Sequence, residues 1–543
     1  MRVTEILEKV DRQEFQLPEL QRGYVWSPRQ VRDLVESLYK DYPVGQILLW
    51  LPPPGFEAER PLSIESRAAP LYQPKLVLDG QQRITSLHRL ARGRFKRENK
   101  DILFNVNDDK FQVESPATRA EPLWVSVTDV LQKGAVDTVD GIGKSKTLEL
   151  DEYRRYLKKL NALEQILGRD IPIQDLAGKQ YSDVCQIFKI VNSKGTRLRA
   201  ADLFLAELIL QVPKRLTQAF DEELRSLDSL YGGRKHNQFD TRLLARCFVA
   251  VALGQASFPE RLTSGIDSEQ KVMEHWKLTH DSIDRVVNLI RSQFNLFGLL
   301  QLPSVNALVP LIAYEASKQR SSTPPEERRM LGWLVLASIW GRYSGSAETE
   351  MNRDVEALAN QSGGDPFATW LNNLRRDRAQ LKVDLKDLEG KGAGSPFLLA
   401  SWVVIYRNHP RDWFGELRIE GENIGSKYQV NIHHIFPKAL LHSYFKDLGL
   451  DQHDSSTRIN DVSNLAFIIK RTNVWIGKKN PSQYFHEYSI GNDKLAEQFV
   501  PDDPRLLTVD SYDEFLRTRR ARLTAAINEF LEEHLPEIAT QRI

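Results

Sequence analysis

Cysteine is scarce in this 543-residue chain: there are 2, Cys185 and Cys247, too few for a disulfide framework or a four-thiolate zinc site. Long hydrophobic runs are missing as well. The longest strongly apolar stretches, 332–340 and 397–406, fall well short of the ~18–20 apolar residues that cross a bilayer, so no spanning segment is expected. Neither sign of charge dominates, since 74 Lys+Arg stand against 73 Asp+Glu. Attraction to nucleic acid must therefore come from local patches rather than from the total. The first residues, MRVTEILEKVDRQEF, mix acids with bases and carry no apolar core, so neither a signal nor a transit peptide is expected. A reducing, cytoplasmic location follows as the expectation. There is no internal repeat and no long low-complexity segment.

Hydrophobic residues make up 41% and charged residues 27%, the composition of a globular protein with sizeable cores. Residues 17–210 read as mixed. Val31, Leu34, Val35 and Leu38 follow the spacing of an amphipathic helix, 46–51 and 75–78 are short apolar strands, and Ile84, Leu87 and Leu90 resume a helical period. Residues 215–395 read as helices broken by polar or Pro-bearing segments. Lys391-Gly392-Ala393-Gly394-Ser395-Pro396 is the sharpest break and the expected hinge. Beyond it histidine concentrates: His433, His434, His442, His453 and His486 are five of the 11 in the chain. The last helical segment, 511–535, carries Arg517, Arg519, Arg520 and Arg522.

In Leu76-Val77-Leu78-Asp79-Gly80-Gln81-Gln82-Arg83 a buried strand delivers a tight turn to a helix start. Unpaired amides and the positive end of the helix dipole suit an anion there. Arg83 can fork onto phosphate oxygens, and Asp79 can orient a ribose hydroxyl, a base or a metal ion. A strand-ending turn with a helix cap explains the same residues. Upstream, Gln21-Arg22 precedes Tyr24 and Trp26, two aromatics expected in the core rather than stacked on a base. Downstream, 188–198 holds Asn192, Lys194 and Thr196 in a turn rich in donors. The three segments in this order resemble the amino-terminal domain of GmrSD-type restriction proteins, over about residues 10–215. The resemblance implies a fold related to ParB and sulfiredoxin. It also implies binding and hydrolysis of a nucleoside triphosphate at Gln21, Arg22, Asp79, Gly80, Gln81, Gln82 and Arg83.

Near the other end, 428–438 reads as a strand ending in His433-His434 and stopped by Pro437. Asn464 opens a second strand, and Asn473 lies on the helix that follows. This order resembles the HNH nuclease motif of the nuclease half of the same restriction proteins. Phosphodiester hydrolysis needs an activated water, a base and a cation to stabilise charge on the phosphate. The resemblance implies His434 as general base, Asn464 as the residue orienting it or its turn, and His433 with Asn473 as ligands to Mg²⁺ or Mn²⁺. Asparagine stands where the motif often has histidine, and 30 residues separate His434 from Asn464, which leaves Asp461 or His486 as alternative second ligands. Lys470, Arg471, Lys478 and Lys479 flank the helix and are expected to meet DNA phosphates.

The expected fold class is α+β and predominantly helical: an α/β domain over 1–215, an all-α middle over 216–395 and a ββα-metal nuclease core with terminal helices over 396–543. The expected activity is a nucleotide-regulated, metal-dependent endonuclease of the type IV restriction class, acting on modified phage DNA, with monomer and homodimer both open. The alternatives are a nucleotide-switched DNA-binding protein with an inactive HNH remnant, or a nuclease for RNA or phosphorothioate-marked DNA.

Overall fold

The computed structural model of the chain describes all residues other than 18–23, 25, 53–59, 62–72, 96–99, 120, 180–182, 185–186, 188–200, 202–203, 206–207, 209–214, 231–238, 260–264, 297–301, 319, 360–363, 379, 422–426 and 540–543. The chain divides into two compact units, Met1–Leu210 and Gln211–Ile543. Helix predominates over strand in the described residues, in keeping with the α+β expectation.

In the first unit a mixed sheet has the order β3-β1-β4-β2-β8, built from β1 (Phe15–Leu17), β2 (Ile47–Trp50), β3 (Arg60–Pro61), β4 (Lys75–Asp79) and β8 (Ile173–Leu176). β1 and β4 run parallel, whereas β2 is antiparallel to β4 and parallel to β8. Successive strand residues face opposite sides. Ile47, Leu49 and Val77 accordingly enter the main core, while Leu48, Trp50, Leu76 and Leu78 form a second cluster with Val184. This two-sided burial explains why both strands are continuous apolar runs. A second sheet, β6-β5-β7, joins β5 (Ile102–Asn105), β6 (Lys110–Val113) and β7 (Trp124–Ser126).

Helices α1 (Val3–Asp11), α2 (Pro28–Tyr39) and α3 (Gln81–Ala91) contribute to the main core. The start of α2 is fixed locally: the Ser27 amide donates to Gln30 Oε1 at 2.9 Å, and Pro28 occupies the first turn, where its missing N–H costs nothing. The predicted stripe Val31, Leu34, Val35 and Leu38 is its buried face.

The second unit is helical apart from one two-stranded sheet. Its longer helices are α4 (Arg215–Leu230), α5 (Thr241–Leu253), α6 (Glu269–Phe294), α7 (Leu308–Ala316), α8 (Pro324–Ile339), α9 (Ala347–Ala359), α10 (Pro366–Asp377), α11 (Pro396–Tyr406), α12 (Lys438–Asp447), α13 (Gln452–Ile459), α14 (Lys470–Ile476), α15 (Pro481–Glu487) and α16 (Tyr512–His534). Helix α16 lies against α8 and α11. Gly332 of α8 permits that approach, because a Cβ there would stand 2.6 Å from His534 Cβ. No helix of the described residues is long and apolar enough to cross a membrane.

The break before α11 is tied down. The Gly390 amide donates to Asp461 Oδ2 at 2.8 Å, and Lys391 O accepts from the Val462 amide at 2.6 Å. The chain just ahead of Gly392–Pro396, the segment expected as a hinge, is thus hydrogen-bonded to the histidine-rich region that follows it.

Candidate functional site

Strand β9 (Val430–His434) pairs antiparallel with β10 (Leu465–Ile469), with His434 opposite Leu465 and His433 opposite Ala466. Helix α14 leaves the end of β10 without a loop and lies against both strands, so strand, strand and helix are neighbours in space, with α12 and α13 in the chain between the two strands. The junction is held by the buried Asp412, whose carboxylate accepts from the Ile469 amide at 2.9 Å and from Thr472 Oγ1 at 2.5 Å.

This arrangement brings His433 and Asn473 together: His433 Nδ1 lies 2.7 Å from Asn473 Oδ1. The rings of Trp413 and Tyr484 meet the imidazole edge-on, with centroids 5.4 and 6.1 Å away. His433 is buried, and its Nε2 has no hydrogen-bond partner among the described residues. Burial pushes its pKa down to about 4, against the Asn473 hydrogen bond that raises it.

His434 is the next residue, at the end of the strand, and is close enough for its charge to act on His433. Its Nε2 is 3.1 Å from Asn460 Oδ1. The Asn460 amide nitrogen donates to Ser456 O at 2.8 Å, which turns Oδ1 toward the imidazole. An amide oxygen only accepts, so the His434 proton sits on Nε2 and the Nδ1 lone pair is left for chemistry. Burial also brings the His434 pKa down to about 4, and the Lys438 ammonium acts in the same direction. No role for Asn460 was predicted from sequence. Its pairing across the fold gave no sequence signal.

Asn464 is completely buried and touches neither imidazole by hydrogen bond. Its Oδ1 accepts from the Phe436 amide at 2.9 Å, and its Nδ2 donates to Phe436 O at 3.2 Å and Ile459 O at 3.0 Å. It fixes the turn that follows the two histidines. Of the alternative ligands, Asp461 is engaged by the amides of Ser463 and Gly390 and by Arg520, each at 2.8 Å. His486 is exposed on α15.

The fit to a cation rests on the donor set. Neighbouring oxygens about an octahedral Mg²⁺ or Mn²⁺, with bonds of 2.0–2.1 Å, stand about 2.9 Å apart. Because an amide oxygen only accepts, the 2.7 Å contact from His433 Nδ1 to Asn473 Oδ1 is an N–H···O hydrogen bond, and a cation held by both would take the place of its proton. Both donors would then be neutral. The residues therefore fit an ion that keeps water and phosphate oxygens as its other ligands.

Around this centre α14 exposes Val474 (68%) and Trp475 (47%), unusual for large apolar groups. The Arg471 guanidinium lies 4.2 Å over the Trp475 ring and donates to Tyr428 Oη at 3.2 Å. Lys478 is exposed and Lys470 partly so, whereas Lys479 is engaged by Glu487 at 2.5 Å and Tyr488 at 2.6 Å. The late arginines divide. Arg519 is buried and donates to Ser463 O at 2.9 Å and Leu465 O at 2.7 Å, and Arg520 pairs with Asp461, whereas Arg517 and Arg522 are exposed, Arg522 donating to Val500 O at 3.1 Å.

In the first unit β4 delivers Asp79 to Gly80, whose φ of +95° suits glycine, and α3 begins at Gln81. Arg83 donates to Val44 O at 2.5 Å, Gln46 O at 2.8 Å and Asp79 Oδ2 at 2.9 Å. Its fork thus holds the turn before β2 against the Asp-Gly turn. Gln82 Oε1 accepts from the Trp26 amide at 3.2 Å, and Gln81 is buried. Tyr24 and Trp26 lean on the core, Tyr24 Oη meeting Ser86 Oγ at 2.9 Å. Gln21, Arg22, Asn192, Lys194 and Thr196 lie outside the described residues.

Residues 3–209 match the family model of the GmrSD restriction endonuclease, N-terminal domain. The match covers the first unit, where strand, glycine turn and helix stand as described. The chain is also similar to the uncharacterized protein MJ0686 of Methanocaldococcus jannaschii, 23% identical over 519 residues that cover 89% of this chain and 86% of the relative. That similarity runs through both units.

Proposed function

We propose that the chain is a metal-dependent DNA endonuclease of the GmrSD type, directed at modified DNA, with its phosphodiester-cleaving centre at the β9–β10–α14 junction. The observation that carries this reading is the 2.7 Å approach of His433 to Asn473 beside a His434 whose tautomer is set by Asn460. His433 and Asn473 would hold Mg²⁺ or Mn²⁺, which would supply charge stabilisation at the phosphate. His434 Nδ1 takes the proton of the attacking water as its oxygen bonds to phosphorus and the P–O bond to the leaving strand breaks. Asn460 keeps the imidazole in the productive tautomer, and Asn464 holds the turn that aims it. Arg471 and Lys478, with Lys470, neutralise flanking phosphates.

In the first unit the Asp79–Arg83 turn would hold a nucleoside triphosphate, the first amides of α3 offering donors to phosphate and Asp79 an acceptor for ribose or a metal ligand. Gln81 and Gln82 belong to the same turn, and Gln21 and Arg22, which the resemblance adds, lie outside the described residues. Arg83 acts there by holding Gly80 and the opposing turn. The neutral donor set at His433 favours one rival, a protein that grips DNA through an inactive nuclease remnant.

Purified protein with plain, hydroxymethylated and glucosylated phage DNA, with and without nucleotide and Mg²⁺ or Mn²⁺, separates the readings. Metal-dependent cutting of modified DNA, altered by nucleotide, is the expected result. Tight binding with no cutting under any condition would leave the rival.

A further inference from the structure

Apart from the histidine pair on β9, the described residues hold one group of three side chains of metal-ligand type: Glu223 on α4, with His280 and Asp284 on α6. His280 and Asp284 are one helical turn apart on the same face. Glu223 reaches them from the neighbouring helix. One ligand atom from each lies within 4.8 Å of the others.

The carboxylate of Glu223 is the unusual member. The residue is 2% exposed, and its Oε2 meets His280 Nδ1 at 2.7 Å. Its Oε1 is buried with no hydrogen-bond partner among the described residues. A buried carboxylate oxygen without a donor is costly, because nothing replaces the water it gave up. The site is open on its other side, since the side chains of His280 and Asp284 are 42% and 47% exposed, and Asp284 lines a groove that continues to Glu315.

We propose that Glu223, His280 and Asp284 bind a divalent first-row transition cation that braces α4 against α6. One imidazole nitrogen with two carboxylate oxygens is a donor set for zinc, manganese or cobalt rather than calcium. The present contacts are split between the ring nitrogens, Nδ1 meeting Glu223 Oε2 at 2.7 Å and Nε2 standing 3.7 Å from Asp284 Oδ2, so the partly exposed Asp284 side chain must rotate to the Nδ1 side for ligands at 2.0–2.2 Å to share one ion. The ion takes the place of the proton between His280 Nδ1 and Glu223 Oε2, which is released to solvent. Glu223 Oε1 gains its missing partner, and Asp284 closes from the solvent side. Water fills the remaining position. The inference does not depend on the nuclease reading, because none of its ligands belongs to that centre.

The test uses the full-length protein stripped with a chelator and titrated with Co²⁺, read by its visible absorption and by metal analysis after desalting. The wild type is expected to retain one equivalent that persists in His433→Ala and is lost in His280→Ala and Glu223→Gln. His280→Ala and Asp284→Asn change partly exposed side chains and carry the test if Glu223→Gln does not fold. Retention of that equivalent in folded His280→Ala and Asp284→Asn overturns the proposal. So does an equivalent lost with His433 alone, or a wild type that takes up no Co²⁺.

Discussion

His433 and Asn473 are forty residues apart in sequence and 2.7 Å apart in space, one at the end of a strand and the other on the helix that follows its partner strand. The β9–β10 register sets this distance. A shift by one residue would carry His433 away from Asn473. The pair is therefore as rigid as the ladder that carries it.

Exchange of His434 for alanine is expected to lower single-turnover DNA cleavage by about 10²–10⁴-fold, the usual contribution of a general base. Asn460→Ala should lower it less, through kcat rather than DNA affinity, because it frees the tautomer without removing the base. Equal rates for wild type and His434→Ala would show that another group accepts the proton.

Asn464 should matter for folding first. Alanine there leaves the Phe436 amide and the carbonyls of Phe436 and Ile459 without their buried partner. A loss of at least about 1–3 kcal/mol follows, measurable as a lower urea midpoint. Unchanged stability with lost cleavage would instead make Asn464 a member of the reacting centre.

Surface cations beside the centre should separate by their present partners. Arg471→Ala and Lys478→Ala are each expected to weaken DNA binding and to reduce the slope of log K against log salt by about 1. Lys479→Ala should change little, since Glu487 and Tyr488 already engage that ammonium. Trp475→Ala is expected to weaken binding with a smaller change in salt slope. Fluorescence anisotropy across a salt series measures all four.

His534 provides a pH dependence away from both candidate centres. It is buried, stacks on Phe530 with centroids 4.0 Å apart, and its pKa is held below the ordinary value by burial. The unfolded chain thus binds more protons than the native one between the lowered pKa and about 6.5. Its contribution to stability is complete above about pH 6.5 and declines as pH falls through the native value. His534→Phe should flatten that part of the stability profile in urea titrations from pH 5 to 8; an identical profile in the variant would exclude His534 as its source.

Much of the fold was legible because it is local. The stripe Val31, Leu34, Val35 and Leu38 specified α2, and the apolar runs at 47–50 and 75–79 specified strands covered on both faces. Gly80 marked a turn that needs positive φ. The order of the histidine pair, Asn464 and Asn473 likewise predicted strand, strand and helix. The sheet β6-β5-β7 went unread, since its strands are three and four residues long and their pairing is set by one another.

Sequence alone determined which residue types stand at the candidate centres and on which elements, since a helical or strand period depends only on neighbours in the chain. Tertiary structure decided what those side chains do. Arg83 reads as a phosphate fork, yet it meets the carbonyls of Val44 and Gln46, which lie 39 and 37 residues away. Arg519 reads as part of a basic run, yet it donates to Ser463 and Leu465 from inside the core. Asn460 sets the His434 tautomer, and Glu223 joins His280, across gaps that no periodicity spans. Each of these contacts joins donors and acceptors distant in the chain, and a buried polar group takes whichever partner the packed core brings within hydrogen-bond distance.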